Sequence, residues 1–287
     1  MPLIDGPDVT LNYSVHGEGE PVTLLHGFTL DGHSWREVIG KMPAAWMFVA
    51  PDLRGHGATR TPAGAPCTMD ACAADLQMLW DHLGITRSHL VGYSMGGRLA
   101  LHVAVRLPER VRSLLTIGAH AGLDEDARAG RRQGDEALAE RIERYGVEPF
   151  VNYWSAQPLF AGLERRGAAF AGQLRAQRLR NRAEGLAASL RGMGAGAMEP
   201  LWSELVGLAV PSTFVAGADD APFVAWAKRL AEAVPEGRIE VVPRSGHAVQ
   251  MQRPTAVARV LAAHLRRADS TTAAGSPTVS GSSTTSA

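Results

Sequence analysis

His89-Leu90-Val91-Gly92-Tyr93-Ser94-Met95-Gly96-Gly97-Arg98-Leu99-Ala100-Leu101-His102-Val103-Ala104-Val105 joins two apolar runs, and the join decides the fold. The first run is short and closed by glycine, as in a buried strand; the second continues as an uninterrupted helical pattern. Gly92-Tyr93-Ser94-Met95-Gly96 stands between them. Small residues around the serine let the chain turn sharply and present its hydroxyl at the top of the turn. A G-x-S-x-G pentapeptide alone is a weak signal, and it gains weight here from the strand before it and the helix after it.

Outward from this join, short apolar runs alternate with helical stretches. Strands are expected over 9–15, 22–25, 47–51, 89–92 and 113–117, and helices over 68–83 and 95–106. Such alternation builds βαβ units, so the fold class is α/β, with a mostly parallel central sheet flanked by helices. From Gly122 to about Pro200 the pattern is helical only, which predicts a helical cap inserted into the sheet at 122–200. Strand alternation resumes at 212–216 and 239–242, and an amphipathic helix over 255–266 closes a core made of 1–121 and 201–268. Residues 269–287 are Ser, Thr, Gly and Ala with little to bury, and they are expected to be a disordered tail.

The 29 basic and 29 acidic residues balance, so no global field favours nucleic acid or a membrane surface. The beginning of the chain has no basic flank followed by an apolar run, and a cytoplasmic protein is expected. Cys67 and Cys72 are too few for a disulfide framework and lack zinc-ligand neighbours. No phosphate loop, dinucleotide fingerprint or metal motif stands in a supporting context, so no cofactor and no metal are expected. A monomer and a homo-oligomer are equally compatible with this composition.

A serine hydroxyl becomes a nucleophile or base only when a histidine takes its proton, and that histidine needs a carboxylate to fix its tautomer. His247 in Arg-Ser-Gly-His and Asp220 in Phe-Val-Ala-Gly-Ala-Asp-Asp both follow expected strand ends, where active sites of open α/β sheets collect. Asp219 is a rival for the carboxylate role. An oxyanion hole needs two backbone N–H groups; Met95 supplies one, and Phe28 in Leu-Leu-His-Gly-Phe the other.

Three arginines are selected by helical phase. Arg98 lies four residues after Ser94, on the same face. Arg131 shares a face with Leu138 and Ile142, and Arg178 follows Phe170 and Leu174 at four-residue steps. A cation interrupting an apolar stripe must be paired or line a polar cavity, and each alone fits a salt-bridged surface role equally well. Together they suggest a pocket for a small molecule bearing carboxylates. Trp154 can wall its apolar part or sit in an ordinary core, and His120, after a strand end, fits a structural role at least as well as a functional one.

Taken together, the motifs His26-Gly27-Phe28, Pro51-Asp52-Leu53-Arg54-Gly55-His56-Gly57, Gly92–Gly97 and Ser245-Gly246-His247 resemble the α/β-hydrolase superfamily over about residues 10–267. Cap segments around Arg131, Trp154 and Arg178 carry a further likeness to the 2-succinyl-6-hydroxy-2,4-cyclohexadiene-1-carboxylate synthases of menaquinone biosynthesis. That resemblance implies a Ser94–Asp220–His247 triad and substrate contacts from Tyr93, Arg98, Arg131, Trp154 and Arg178. Where the family often has a Lys-Phe pair after the aspartate, this chain has Pro222-Phe223, so one cationic contact is missing. The implied reaction is elimination of pyruvate, a carbon–oxygen lyase step. The alternatives are a serine hydrolase cleaving an ester or carbon–carbon bond of an acidic small molecule, and a non-catalytic receptor using the capped pocket.

Overall fold

The computed structural model describes residues 2–274. Its strands are β1 (Leu3–Asp5), β2 (Thr10–His16), β3 (Glu20–Leu25), β4 (Trp46–Pro51), β5 (Ser88–Tyr93), β6 (Val111–Ile117), β7 (Ser212–Gly217) and β8 (Gly237–Val242). Its helices are α1 (Arg36–Ile39), α2 (Met69–His82), α3 (Met95–Arg106), α4 (Glu125–Tyr145), α5 (Val147–Ser155), α6 (Gly167–Leu179), α7 (Ala183–Met193), α8 (Ala221–Ala233), α9 (Val249–Gln252) and α10 (Pro254–Ala274). The strands form one sheet in the order β1-β2-β4-β3-β5-β6-β7-β8, antiparallel at β1-β2 and β2-β4 and parallel elsewhere.

Period-2 alternation divides each central strand between two cores. Leu90, Leu114 and Phe214 face one apolar cluster with Leu76 and Leu99, whereas Val91, Leu115 and Val215 face another with Leu261 and Leu265. Both faces are therefore covered by helices, which explains why these strands read as continuous apolar runs. Thr68 caps α2 by accepting from the Ala71 N–H at 3.2 Å, matching the expected helix start. Cys67 and Cys72 are free and buried, and burial pushes the Cys67 thiol up to about 11.

Between β6 and β7 the described chain forms α4 to α7 and short 3₁₀ turns. Asp124 caps α4, accepting from the Ala127 N–H at 2.9 Å. Ala139, Ile142, Phe150, Val151, Leu186 and Leu190 give these helices an apolar cluster of their own, against which Phe28 of the sheet loop packs. Gly55 and Gly185 meet backbone to backbone: a Cβ on Gly55 would lie 2.3 Å from the Gly185 carbonyl oxygen.

The expected tail boundary at 269 is corrected. Helix α10 runs on to Ala274, because Asp269 accepts hydrogen bonds from the Trp46 indole at 3.4 Å and faces His89 Nε2 at 3.1 Å. Residues 275–287 lie outside the described residues. Strand β1, three residues long, is too short to carry a periodic signal in the sequence.

Candidate active site

β5 ends at Tyr93 and α3 begins at Met95, leaving Ser94 alone in the turn with φ of 52°. A non-glycine residue held there costs about 1–3 kcal/mol and persists only when its surroundings fix it. Here the backbone does so. A Cβ at Gly92 would lie 2.2 Å from the Gly96 carbonyl oxygen, and one at Gly96 would lie 2.4 Å from that of Leu25. The Ser94 N–H donates to the Ile117 carbonyl at 2.8 Å.

The loops after β7 and β8 bring the other two groups to the serine. Asp219 N–H donates to the Ser245 carbonyl at 2.9 Å, tying the loops together. His247 Nδ1 lies 3.0 Å from Asp220 Oδ2, and its Nε2 lies 3.0 Å from Ser94 Oγ. A carboxylate at Nδ1 keeps the proton there, so Nε2 is left to accept from the hydroxyl. The two aspartates part company. The Asp220 side chain is 11% exposed and faces the imidazole, whereas that of Asp219 is 54% exposed and lies 3.9 Å from Arg165.

A cavity of about 170 Å³ opens on Ser94 and His247, with Phe28 and Met95 also in its wall. Met95 is the first residue of α3, where helix N–H groups lack intrahelical acceptors and the helix dipole favours negative charge. Behind Phe28, Thr29 takes a φ of 70°, and its carbonyl accepts from the Asn181 amide at 2.8 Å. His26 supports the same loop: its Nε2 accepts from the Leu53 N–H at 2.9 Å. Burial lowers the His26 pKa, keeping the ring neutral for that role.

Arg98, expected to look into the pocket, lines this cavity, is 9% exposed and donates to the Met193 carbonyl at 2.8 Å. Burial and the neighbouring Arg131 bring its pKa down to about 10. Arg131 also lines the cavity, but it is half exposed and donates to Asp135 at 2.8 Å. Arg178 lies in an adjoining recess with Tyr93, Ser94 and Phe160. It is 2% exposed, donates to the Ser155 hydroxyl at 2.7 Å and stacks over Phe160 at 4.5 Å. Its Nε has no partner among the described residues, and burial lowers its pKa to about 10. Among the described residues neither Arg98 nor Arg178 forms an ion pair.

Trp154 stands in the cavity wall, stacked on Phe150 at 5.7 Å and edge-on to Phe28 at 5.5 Å, with its indole N–H unpartnered among the described residues. Tyr93, 2% exposed, presses its ring on Gly27, and burial raises its hydroxyl pKa. Among the described residues no cluster of three or more His, Cys, Asp or Glu could hold a metal ion, and no helix is long and apolar enough to cross a membrane.

The family described as alpha/beta hydrolase fold matches residues 20–254. The chain belongs to the α/β-hydrolase fold family. It is 36% identical over 261 residues to a Bacillus subtilis protein provisionally named as a 2-succinyl-6-hydroxy-2,4-cyclohexadiene-1-carboxylate synthase, covering 89% of this chain and 95% of that one. It is 34% identical to the Klebsiella pneumoniae protein named as that synthase, covering 84% and 92%. Among solved structures, MenH from S. aureus superimposes with a TM-score of 0.86 at 28% identity, covering 90% of this chain and 98% of that one.

Two residues of this α/β-hydrolase site have roles that only the structure assigns. Phe223 packs its ring 4.4 Å from that of His247 in the wall of the same cavity. Gly118, at the end of β6 with φ of +60°, leaves room for the same imidazole. A glycine directly after an apolar strand was the available signal for the second; for the first, the Pro222-Phe223 pair after the aspartate marks its place but not its contact with His247.

Proposed function

We propose that this α/β-hydrolase-fold protein eliminates pyruvate from 2-succinyl-5-enolpyruvyl-6-hydroxy-3-cyclohexene-1-carboxylate, giving 2-succinyl-6-hydroxy-2,4-cyclohexadiene-1-carboxylate. One observation carries the reading: two buried guanidiniums, Arg98 and Arg178, neither in an ion pair among the described residues, flank a hydrogen-bonded Ser94–His247–Asp220 line. Buried unpaired cations are costly, and a substrate bearing several carboxylates supplies the missing charge. The names of the relatives support the same product.

In this mechanism His247 withdraws the Ser94 proton as the serine oxygen takes the hydrogen from ring carbon 2, beside the succinyl carbonyl. The released electron pair first rests on that carbonyl as an enolate, held by the backbone N–H groups of Phe28 and Met95. It then returns to form the 2,3 double bond, the 3,4 pair shifts to 4,5, and the carbon 5–oxygen bond breaks. The leaving enolpyruvate takes up the proton to become pyruvate. Asp220 orients His247 and stabilises its imidazolium; Tyr93, Arg98, Arg131, Trp154 and Arg178 bind the substrate. The helices of 122–200 act as the cap that excludes water, and we place the enzyme in the cytoplasm.

Pyruvate release coupled to lactate dehydrogenase tests the proposal. Wild type should release pyruvate, with Ser94→Ala and Arg98→Ala each reduced by about 100-fold or more. Cleavage of p-nitrophenyl esters without pyruvate release, with an acyl-Ser94 species in the mass spectrum, would instead assign a serine hydrolase of acidic esters.

A further inference from the structure

We infer that His120 is a further substrate-binding residue, a neutral donor whose Nε2–H completes the carboxylate-binding wall begun by Arg98 and Arg131. The inference rests on the proposed function and assigns one more group to the same site. His120 follows β6 and is 6% exposed, yet its side chain lines the cavity with Ser94, Arg98 and His247. Its tautomer is fixed from behind. The Gly122 N–H donates to Nδ1 at 3.1 Å, so Nδ1 carries a lone pair and the ring proton sits on Nε2. Among the described residues Nε2 has no partner.

The ring is also held in place. Its face packs against Trp226 at 5.6 Å and Phe223 at 6.5 Å, and the Trp202 indole stacks on Trp226 and donates to the Gly122 carbonyl at 2.9 Å. A donor held this rigidly costs little entropy when a ligand arrives. Burial, with Arg98 and Arg131 close by, lowers the pKa of His120 to about 3. The imidazole thus stays neutral beside two cations and does not compete with His247 for a substrate proton. A third cation at this position would raise the repulsion in the empty pocket; a neutral N–H adds a hydrogen bond to a carboxylate without that penalty.

Two substitutions separate binding from scaffolding. His120→Gln keeps a donor near the Nε2 position, whereas His120→Asn keeps an acceptor near Nδ1 for Gly122 and loses the Nε2 donor. We would titrate 2-succinylbenzoate, a stable aromatic relative of the proposed product, into each protein by calorimetry and measure pyruvate release beside it. The expected result is a dissociation constant within about threefold of wild type for His120→Gln and weaker by about tenfold to 100-fold for His120→Asn, with KM moving more than kcat. Equal loss in both variants, or recovery by Asn rather than Gln, makes His120 a scaffold residue and overturns the inference. A wild type that binds the probe without releasing pyruvate removes the proposed reaction, and the Gln-to-Asn ratio still decides His120. A wild type that neither binds nor reacts removes both.

Discussion

The imidazole of His247 lies against Gly118: a Cβ added to the glycine would sit 2.9 Å from Cε1 and 3.1 Å from Nδ1. Gly118 also holds φ of +60°, where an L side chain is strained. Gly118→Ala should therefore push His247 off its line with Ser94 and Asp220. We expect kcat/KM for pyruvate release to fall by about 100-fold, with a stability loss of about 1 kcal/mol. Steady-state kinetics beside thermal unfolding checks it, and full activity in the variant would show that the imidazole has room to spare.

Arg178 predicts stability and function moving in opposite directions. Among the described residues its buried guanidinium forms no ion pair, so Arg178→Met replaces a desolvated cation by an apolar chain of similar length. Urea unfolding should give a variant equal to wild type or more stable by about 1–2 kcal/mol. Pyruvate release should drop by about 100-fold. A variant that is both destabilised and active would contradict the assignment of Arg178 to the substrate.

Acid should destabilise the fold well above the pH at which most carboxylates titrate. His56, His120 and His264 are each held down to about 3 by burial, against 6.5 in an unfolded chain. Between those values the unfolded chain binds protons that the native protein does not, so stability is full above about pH 6.5 and declines as the pH falls toward 3. Each such proton contributes about 1.4 kcal/mol per pH unit. Calorimetric Tm values from pH 8 to 4 should fall steadily below 6.5; a flat profile between pH 7 and 5 would mean that these rings take up protons in the native state.

Asn181 joins α6 to two loops around the site. Its amide donates to the Thr29 carbonyl at 2.8 Å and accepts from the Gly57 N–H at 2.9 Å. Asn181→Ala leaves both backbone groups without that partner, at a cost of about 1–3 kcal/mol. Because Thr29 follows Phe28, kcat should fall more than KM rises. Wild-type kcat in a destabilised variant would separate the loop from the chemistry.

The sheet and the elbow were legible because their signals are local: apolar runs for the strands, and glycines around Ser94 for the turn. Between Asp219 and Asp220 the sequence decided only through the family resemblance, since neighbouring residues leave one loop in different directions and the packing of β7 on β8 is what aims Asp220 at the imidazole. Arg131 shows the limit of helical phase: the right face still left its side chain half exposed and paired with Asp135. Residues 269–274 look unable to bury anything, yet a single carboxylate, Asp269, anchors to Trp46 and His89 across the sheet. Phe223 matters through its contact with His247, a relation between residues far apart in the chain.

The bare contact of Gly55 with Gly185 sets a condition on module exchange. Helices from a relative grafted onto this sheet would have to arrive with a glycine facing Gly55, because any other residue there lifts α7 off the loop that carries His56. The two positions would travel as a pair in chimeras, and substituting either alone would alter the depth of the substrate chamber without touching a residue that lines it.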